Sequence, residues 1–271
     1  MRPLAVVSIV ALAVAACSRS DGEPAARSGA VGSPSGAAAD PTLTTDAAIA
    51  VGNLDAQIDG WEAARARRPG TIDWWLQLSG AYGARGRALG RIADYEKALA
   101  LADEAVKRWP DDGESRLARA AARATFHRFA EAAADVDAAA ARGASPAKID
   151  EVRASLWSAT GHEAEALVVR ARRAAARPEL PTLGALAMSL AAQGRDREAE
   201  QKFAEAEASY RDVSPFPLAQ LYFQVGLVEE RRGRPASARE RYEAARAKLP
   251  QHAPATAHLA ALMAASGQRA A

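Results

Sequence analysis

The side chains best suited to nucleophilic, acid–base or metal chemistry in this sequence are one cysteine, Cys17, and four histidines, His127, His162, His252 and His258. A metal site needs such groups paired at short spacing, so that two ligands share one helical face or one tight turn. None of the histidines has a second His or Cys at that spacing, and His252 and His258 stand on either side of Pro254, off a common helical face. No H-E-x-x-H, no G-x-S-x-G and no Gly-rich phosphate loop occurs. The residues therefore predict no catalytic group, no metal and no cofactor: not an enzyme.

Arginine is the remaining chemistry. One stripe runs through Arg116, Arg119 and Arg123, and a second through Arg170, Arg172, Arg173 and Arg177. Guanidinium forks match carboxylates and phosphates. Two readings follow: the arginines pair with acids of their own chain, Glu163 and Glu165 among them, or Arg170, Arg172 and Arg173 contact an anionic glycan or lipid headgroup. With 35 Lys and Arg against 33 Asp and Glu, the formal charge is only +2, which is no nucleic-acid footprint.

Cys17 sits in AVAACSRS, behind a short apolar run and ahead of a polar stretch. Arg2 gives a positive start; Pro3 to Ala16 is apolar apart from Ser8 and falls short of the roughly 20 residues that span a bilayer. That is the form of an export signal, residues 1–16. Ala13-Val14-Ala15 is an A-x-A box that would release a soluble protein. Val14-Ala15-Ala16-Cys17 resembles the bacterial lipoprotein box. That resemblance implies a lipid on Cys17, cleavage before it and, with Ser18 following, the periplasmic side of an outer membrane. An unpaired cysteine in an exported chain fits this, and several acyl chains would hold a protein firmly on a membrane. Residues 17–45 read as the lipidated cysteine and a Gly/Ser/Ala/Pro-rich tether too polar to fold alone, with a reach of about 25 Å.

The elements that would position anything else are helices. Residues 46–271 are rich in Ala, Arg, Glu and Leu, poor in β-branched and aromatic residues, and show no alternating strand pattern. In Leu221 to Pro250, Tyr222, Val225, Gly226 and Glu229 share one helical side; Gly233 breaks the chain; Ala238, Tyr242 and Ala245 mark a second helix that Pro250 ends. This resembles the tetratricopeptide repeat, a helical hairpin of about 34 residues with small residues where its two helices touch. The same figure recurs at Trp75, Leu78, Ser79, Tyr82, Ala98, Ala102, Ala105 and Pro110, then at Phe129, Ala132, Val136 and Ala139. It recurs again at Trp157, Gly161, Ala166 and Pro178, and at Leu183, Leu186, Ala187, Leu190, Gly194, Ala199, Phe203 and Ala206. An Ala-rich helical bundle would share the composition but not the recurrence in register.

The resemblance implies an all-α, right-handed superhelical solenoid of about five helix pairs. A lone helix precedes them around Leu54, Ile58 and Trp61, and another follows from Ala253. About seven extra residues around Arg85 to Ile92 and the long connection Asp212 to Pro217 interrupt the period. Two copies depart from it. The stripe of Arg116, Arg119 and Arg123 predicts a first helix rotated by about one residue. Arg170 and Arg173 stand where the family prefers an aromatic and an alanine.

Family resemblance also implies that the concave side binds a protein or peptide. The groove pattern falls on Lys148, Glu151, Ser155, Gln220, Phe223, Gln224, Leu227, Glu230, Arg231 and His258, with Phe223 either a hydrophobic anchor or a packing residue. The sequence thus predicts a lipid-anchored scaffold at the bacterial envelope, its partner a protein or peptide. The alternatives are a binder of anionic glycan or headgroup through Arg170, Arg172 and Arg173, or a soluble periplasmic adaptor.

Overall fold

The computed structural model describes residues 43–266. The export signal, Cys17 and most of the tether lie outside the described residues. Twelve helices fill the described chain: α1 (Ala47–Arg67), α2 (Ile72–Leu89), α3 (Ile92–Arg108), α4 (Gly113–Thr125), α5 (Phe129–Ala140), α6 (Pro146–Ala159), α7 (Glu163–Ala176), α8 (Leu180–Ala192), α9 (Asp196–Ser209), α10 (Pro215–Arg231), α11 (Pro235–Lys248) and α12 (Ala253–Ala265). Among the described residues there is no strand, and no helix is long and apolar enough to cross a membrane.

Five antiparallel pairs, α2/α3 through α10/α11, stack in chain order, with α1 and α12 as single helices at the ends. The all-α solenoid of five pairs and two half repeats expected from the sequence is what the chain forms. Small residues explain the close pairing. Ser79, Ala120, Ala154, Ala187 and Gly226 on the first helices are buried, and so are Ala98, Ala132, Ala166, Ala199 and Ala238 on the second. Without bulky side chains at these positions the backbones approach, and larger residues fill the gaps on either side. The core is accordingly a row of clusters: Ile58, Trp75, Leu78, Tyr82 and Leu101 near the start, Leu117, Val136, Ile149 and Leu156 in the middle, Leu183, Phe203, Leu218 and Tyr242 toward the end.

The core face of α4 is turned by about one residue, as expected: Leu117 is buried and Ala124 packs against the core, one position later than Trp75 and Tyr82 in α2. Ala120 remains fully buried opposite Ala132, and Arg119 and Arg123 instead reach Asp135 on α5, at 2.6 Å each. Asp135 is buried and shared by the two guanidinia, and the remaining charge is met by Asp103, 3.7 Å from Arg119, and Glu131, 3.6 Å from Arg123.

Each first helix ends in a residue of left-handed backbone: Gly90, His127, Gly161, Gly194 and Gly233. That conformation opens the last turn of the helix and suits glycine. His127, at φ 57°, is the one non-glycine in this column.

The extra residues after Arg85 lengthen α2 rather than forming a loop. Arg85 is buried, donating to Asp94 at 2.7 and 2.8 Å and to Asp55 at 2.7 Å. The added turn carries α2 far enough for Gly90 to meet Ala253 at the start of α12; a Cβ on Gly90 would stand 2.7 Å from that of Ala253. The two ends of the solenoid therefore touch. Ahead of α1, the Thr45 amide donates to the carbonyl of Val213, in the connection between α9 and α10, at 2.7 Å. The first helices form an inner circle and the second helices, with α1, the outside.

Candidate functional site

The inner face is the candidate site, and it divides into three sectors. In the first, α2 supplies Arg87. Its side chain keeps partial access to water but is otherwise surrounded by protein, and that burial lowers its pKa. Tyr95 and Glu151 are the groups whose charge opposes that fall. No ion pair or hydrogen bond ties Arg87 to another described residue.

The second sector is α6. Lys148 donates to Glu114 of α4 at 2.8 Å, and Glu151 accepts from Arg173 of α7 at 2.9 Å. Burial raises the Glu151 pKa, while Arg173 and, more weakly, Arg87 pull it back. Ser155 is buried.

In the third, α10 and α12 carry a polar and aromatic cluster. Phe223 is 8% exposed, with its ring 5.8 Å from Tyr242, 5.4 Å from His252 and 5.5 Å from His258. It packs α10 against α12 and is not presented as an anchor. Glu230 accepts from the Tyr242 hydroxyl at 2.6 Å and lies 2.9 Å from Nδ1 of His258. Burial and the Glu230 carboxylate both push the Tyr242 hydroxyl pKa upward, so the ring stays a neutral donor. Gln220, Gln224 and Leu227 are part-buried, and Arg231 is exposed. Gln224 lies beside Gly184 of α8, where a Cβ would stand 3.5 Å from its Oε1.

Arg170, Arg172 and Arg173 are engaged within the chain. Arg170 is buried, donating to the Ser189 hydroxyl at 2.5 Å and to Glu163 at 3.4 Å. Arg172 reaches Asp150 at 2.5 Å; Arg173 reaches Glu151 and the carbonyl of Ala147. At the positions of the aromatic and the alanine of other copies, Arg170 pairs with Glu163 of its own helix and Ser189 of α8, and Arg173 with Glu151 of α6. Two histidines that sequence spacing separates are brought onto one ring by Phe223. Sequence reasoning missed Arg87 as an inner-face group, because it lies within the extra residues that the period does not align, and it missed that the buried Tyr242 of α11 holds Glu230.

Chemically this face offers hydrogen bonds and charges along a curved wall. Among the described residues no cluster of His, Cys, Asp and Glu could hold a metal. The cavity of about 370 Å³ lies elsewhere, on the outer side between α9, α10 and α11, lined by Phe203, Tyr222, Val225, Glu229, Arg232 and Arg241.

A solved structure described as a tetratricopeptide repeat protein from Parabacteroides merdae superposes with a TM-score of 0.59 over 78% of each chain, at 15% identity. The fold is tetratricopeptide-like. A thermophilic protein of that kind from Thermus thermophilus matches with a TM-score of 0.54 at 18% identity, covering 72% of this chain and all of the other. No protein-family model matches the sequence, and no curated protein matches it.

Proposed function

We propose that this chain is a non-catalytic scaffold that holds a protein or peptide partner on its inner face, and that a lipid on Cys17 anchors it at the bacterial envelope, on the outer membrane facing the periplasm. The observation that carries the binding reading is the contrast between the two kinds of arginine. Arg119, Arg123, Arg170, Arg172 and Arg173 are matched by carboxylates of the chain itself, whereas Arg87, enclosed by the inner circle, has no such partner among the described residues. Glu151 opposes the cost of that burial only from beyond ion-pair distance, so a carboxylate brought nearer by a partner would be favourable there. On α10 of the same face, the amides of Gln220 and Gln224 are part-buried and Arg231 is exposed, groups that suit an extended polypeptide. The tetratricopeptide-like fold is consistent with this, since helical-repeat solenoids form extended concave surfaces of this type.

The anchor rests on the export-signal pattern of residues 1–16 and the Val14-Ala15-Ala16-Cys17 box. Intact mass and membrane fractionation of the native protein, beside a Cys17→Ala variant, test it. A lipid-sized mass increment on a chain starting at Cys17, lost with membrane association in the variant, is the expected result. A soluble chain starting at Ala16 with a free thiol overturns the anchor and leaves a periplasmic adaptor. For the binding reading, native protein and a Gln220→Ala, Gln224→Ala, Arg231→Ala variant are used to capture partners from crosslinked membranes. A partner held by the first and lost by the second is expected; equal capture by both contradicts it.

A further inference from the structure

The outer cavity between α9, α10 and α11 has no part in the inner-face reading. Its volume of about 370 Å³ falls within the range of about 300–1,000 Å³ typical of ligand pockets. The floor is apolar: Phe203 of α9 and Leu221 and Tyr222 of α10 are buried there, with Val225 part-buried beside them. One wall is a stripe of α9, where Glu200, Ala204 and Glu207 recur at steps of four and three residues and so share a helical side. The facing wall is α11, which contributes Glu240 and Arg241. The cavity lies where the repeat is stretched, 39 residues separating Ala199 from Ala238 against 33 and 34 in the two steps before it.

Charge distinguishes this cavity further. Four glutamates line it, Glu200, Glu207, Glu229 and Glu240, against two arginines, Arg232 and Arg241. Arg232 is committed within the chain, 2.8 Å from Asp196, 2.7 Å from Glu200 and 3.0 Å from Glu229. The other two carboxylates have no such partner. Glu207 accepts from the uncharged hydroxyl of Tyr222 at 2.6 Å and makes no ion pair with a described residue. Glu240 is exposed and has neither an ion pair nor a hydrogen bond to another described residue. Arg241, next to it, is the one uncommitted cation of the lining. Two unmatched carboxylates on opposite walls of an apolar floor are complementary to a cation carried on an apolar stem.

We propose that the outer cavity docks a short segment of a second polypeptide in which a lysine or arginine stands within four residues of an aliphatic or aromatic residue. The apolar side chain fills the floor between Phe203 and Val225. The stem of the cation lies along Tyr222, and its head reaches Glu207 and Glu240. The α9 wall from Glu200 to Glu207 is seven residues, about 10 Å long, which takes a few side chains rather than a whole added helix. This site does not depend on the inner-face reading. Because α10 turns Gln224 toward the inner circle and Tyr222 toward the cavity, a segment docked outside leaves the inner face free, and one chain holds two partners at once.

A displayed library of random dodecapeptides, selected on the full-length protein, tests the site, and fluorescence anisotropy of the enriched peptides measures their affinity. The enriched sequences are expected to place Lys or Arg within four residues of Leu, Ile, Phe or Trp. Glu207→Gln combined with Glu240→Gln should weaken their binding by at least about tenfold, since it removes both unmatched charges. The Gln at 207 still offers Tyr222 a carbonyl oxygen. Ala204→Trp, from an exposed position on the α9 wall, should fill the cavity and abolish binding. Arg87→Met, on the inner face, should leave it unchanged. Urea midpoints check that each variant is folded; if Ala204→Trp is not, the double Gln variant decides. No enriched peptide, enrichment of acidic peptides, or binding undiminished by the double Gln variant overturns the proposal. Peptides lost with Arg87→Met but kept with a folded Ala204→Trp also overturn it, and support the inner face instead.

Discussion

Gly226 and Tyr242 touch so closely that a Cβ on the glycine would stand 2.4 Å from a ring carbon of the tyrosine. The ring is fully buried and held by its hydroxyl on Glu230, so it has no room to yield. Gly226→Ala is therefore expected to cost about 1–2 kcal/mol, overpacking outweighing the roughly 1 kcal/mol that alanine gains in a helix. Urea unfolding measures it. Combined with Tyr242→Leu, the loss should be smaller than the sum of the two single losses, because the second change removes what the first strikes. Additive losses would mean that the glycine is not placed by the ring.

A stabilising change is expected at His127. It alone among the left-handed residues that end the first helices is not glycine, and its φ of 57° strains an L side chain. His127→Gly should raise stability by about 0.5–1 kcal/mol, the gain reduced by losing the edge contact of its ring with Phe129 at 5.4 Å. A shift of the urea midpoint to higher concentration checks this, and a lower midpoint contradicts it.

The repeat was legible because it rests on volume. Alanine or glycine at a helix crossing is forced by the approach of two backbones, so Ala132, Ala166, Ala199 and Ala238 carried the register in the sequence as they do in the fold. Charge pairing was not legible in the same way. Asp135 answers Arg119 and Arg123 from a neighbouring helix, a long-range relation that local spacing does not encode. The same holds for Phe223, whose exposure depended on where α12 would lie. Closure of the two ends is a sum of small rotations across five pairs, and no single motif in the sequence states it.

Acid should weaken the fold through His252. Its ring is buried, Nδ1 accepts the amide of Ala255 as the cap of α12, and burial pushes its pKa down to about 4. Protonation removes the acceptor and places a cation at a helix N-terminus. The unfolded chain takes the proton near the ordinary value of about 6.5, the folded chain only near 4. Stability is thus full above about pH 6.5 and is lost as pH falls toward 4, by roughly 3 kcal/mol in the limit. His252→Asn keeps a capping oxygen without the titration. Urea unfolding from pH 7 to 4 should show a shallower decline in that variant; parallel declines would contradict this role.

Arg87 separates stability from binding. Arg87→Met removes a cation that no described carboxylate pairs directly, Glu151 acting only from beyond ion-pair distance, so its unfolding free energy should stay within about 0.5 kcal/mol of the native value or rise. Partner capture should fall. A loss above about 2 kcal/mol would show that Arg87 is a structural ion-pair residue after all.

The most direct test of the inner face is site-specific photo-crosslinking in intact cells. A photoreactive residue at Gln224 on the inner circle is compared with one at Gln57, exposed on the outer helix α1. The account predicts a discrete higher-mass adduct from Gln224 that Gln57 does not give and that Arg87→Met diminishes. No adduct from Gln224, or the same adduct from both positions, would contradict it.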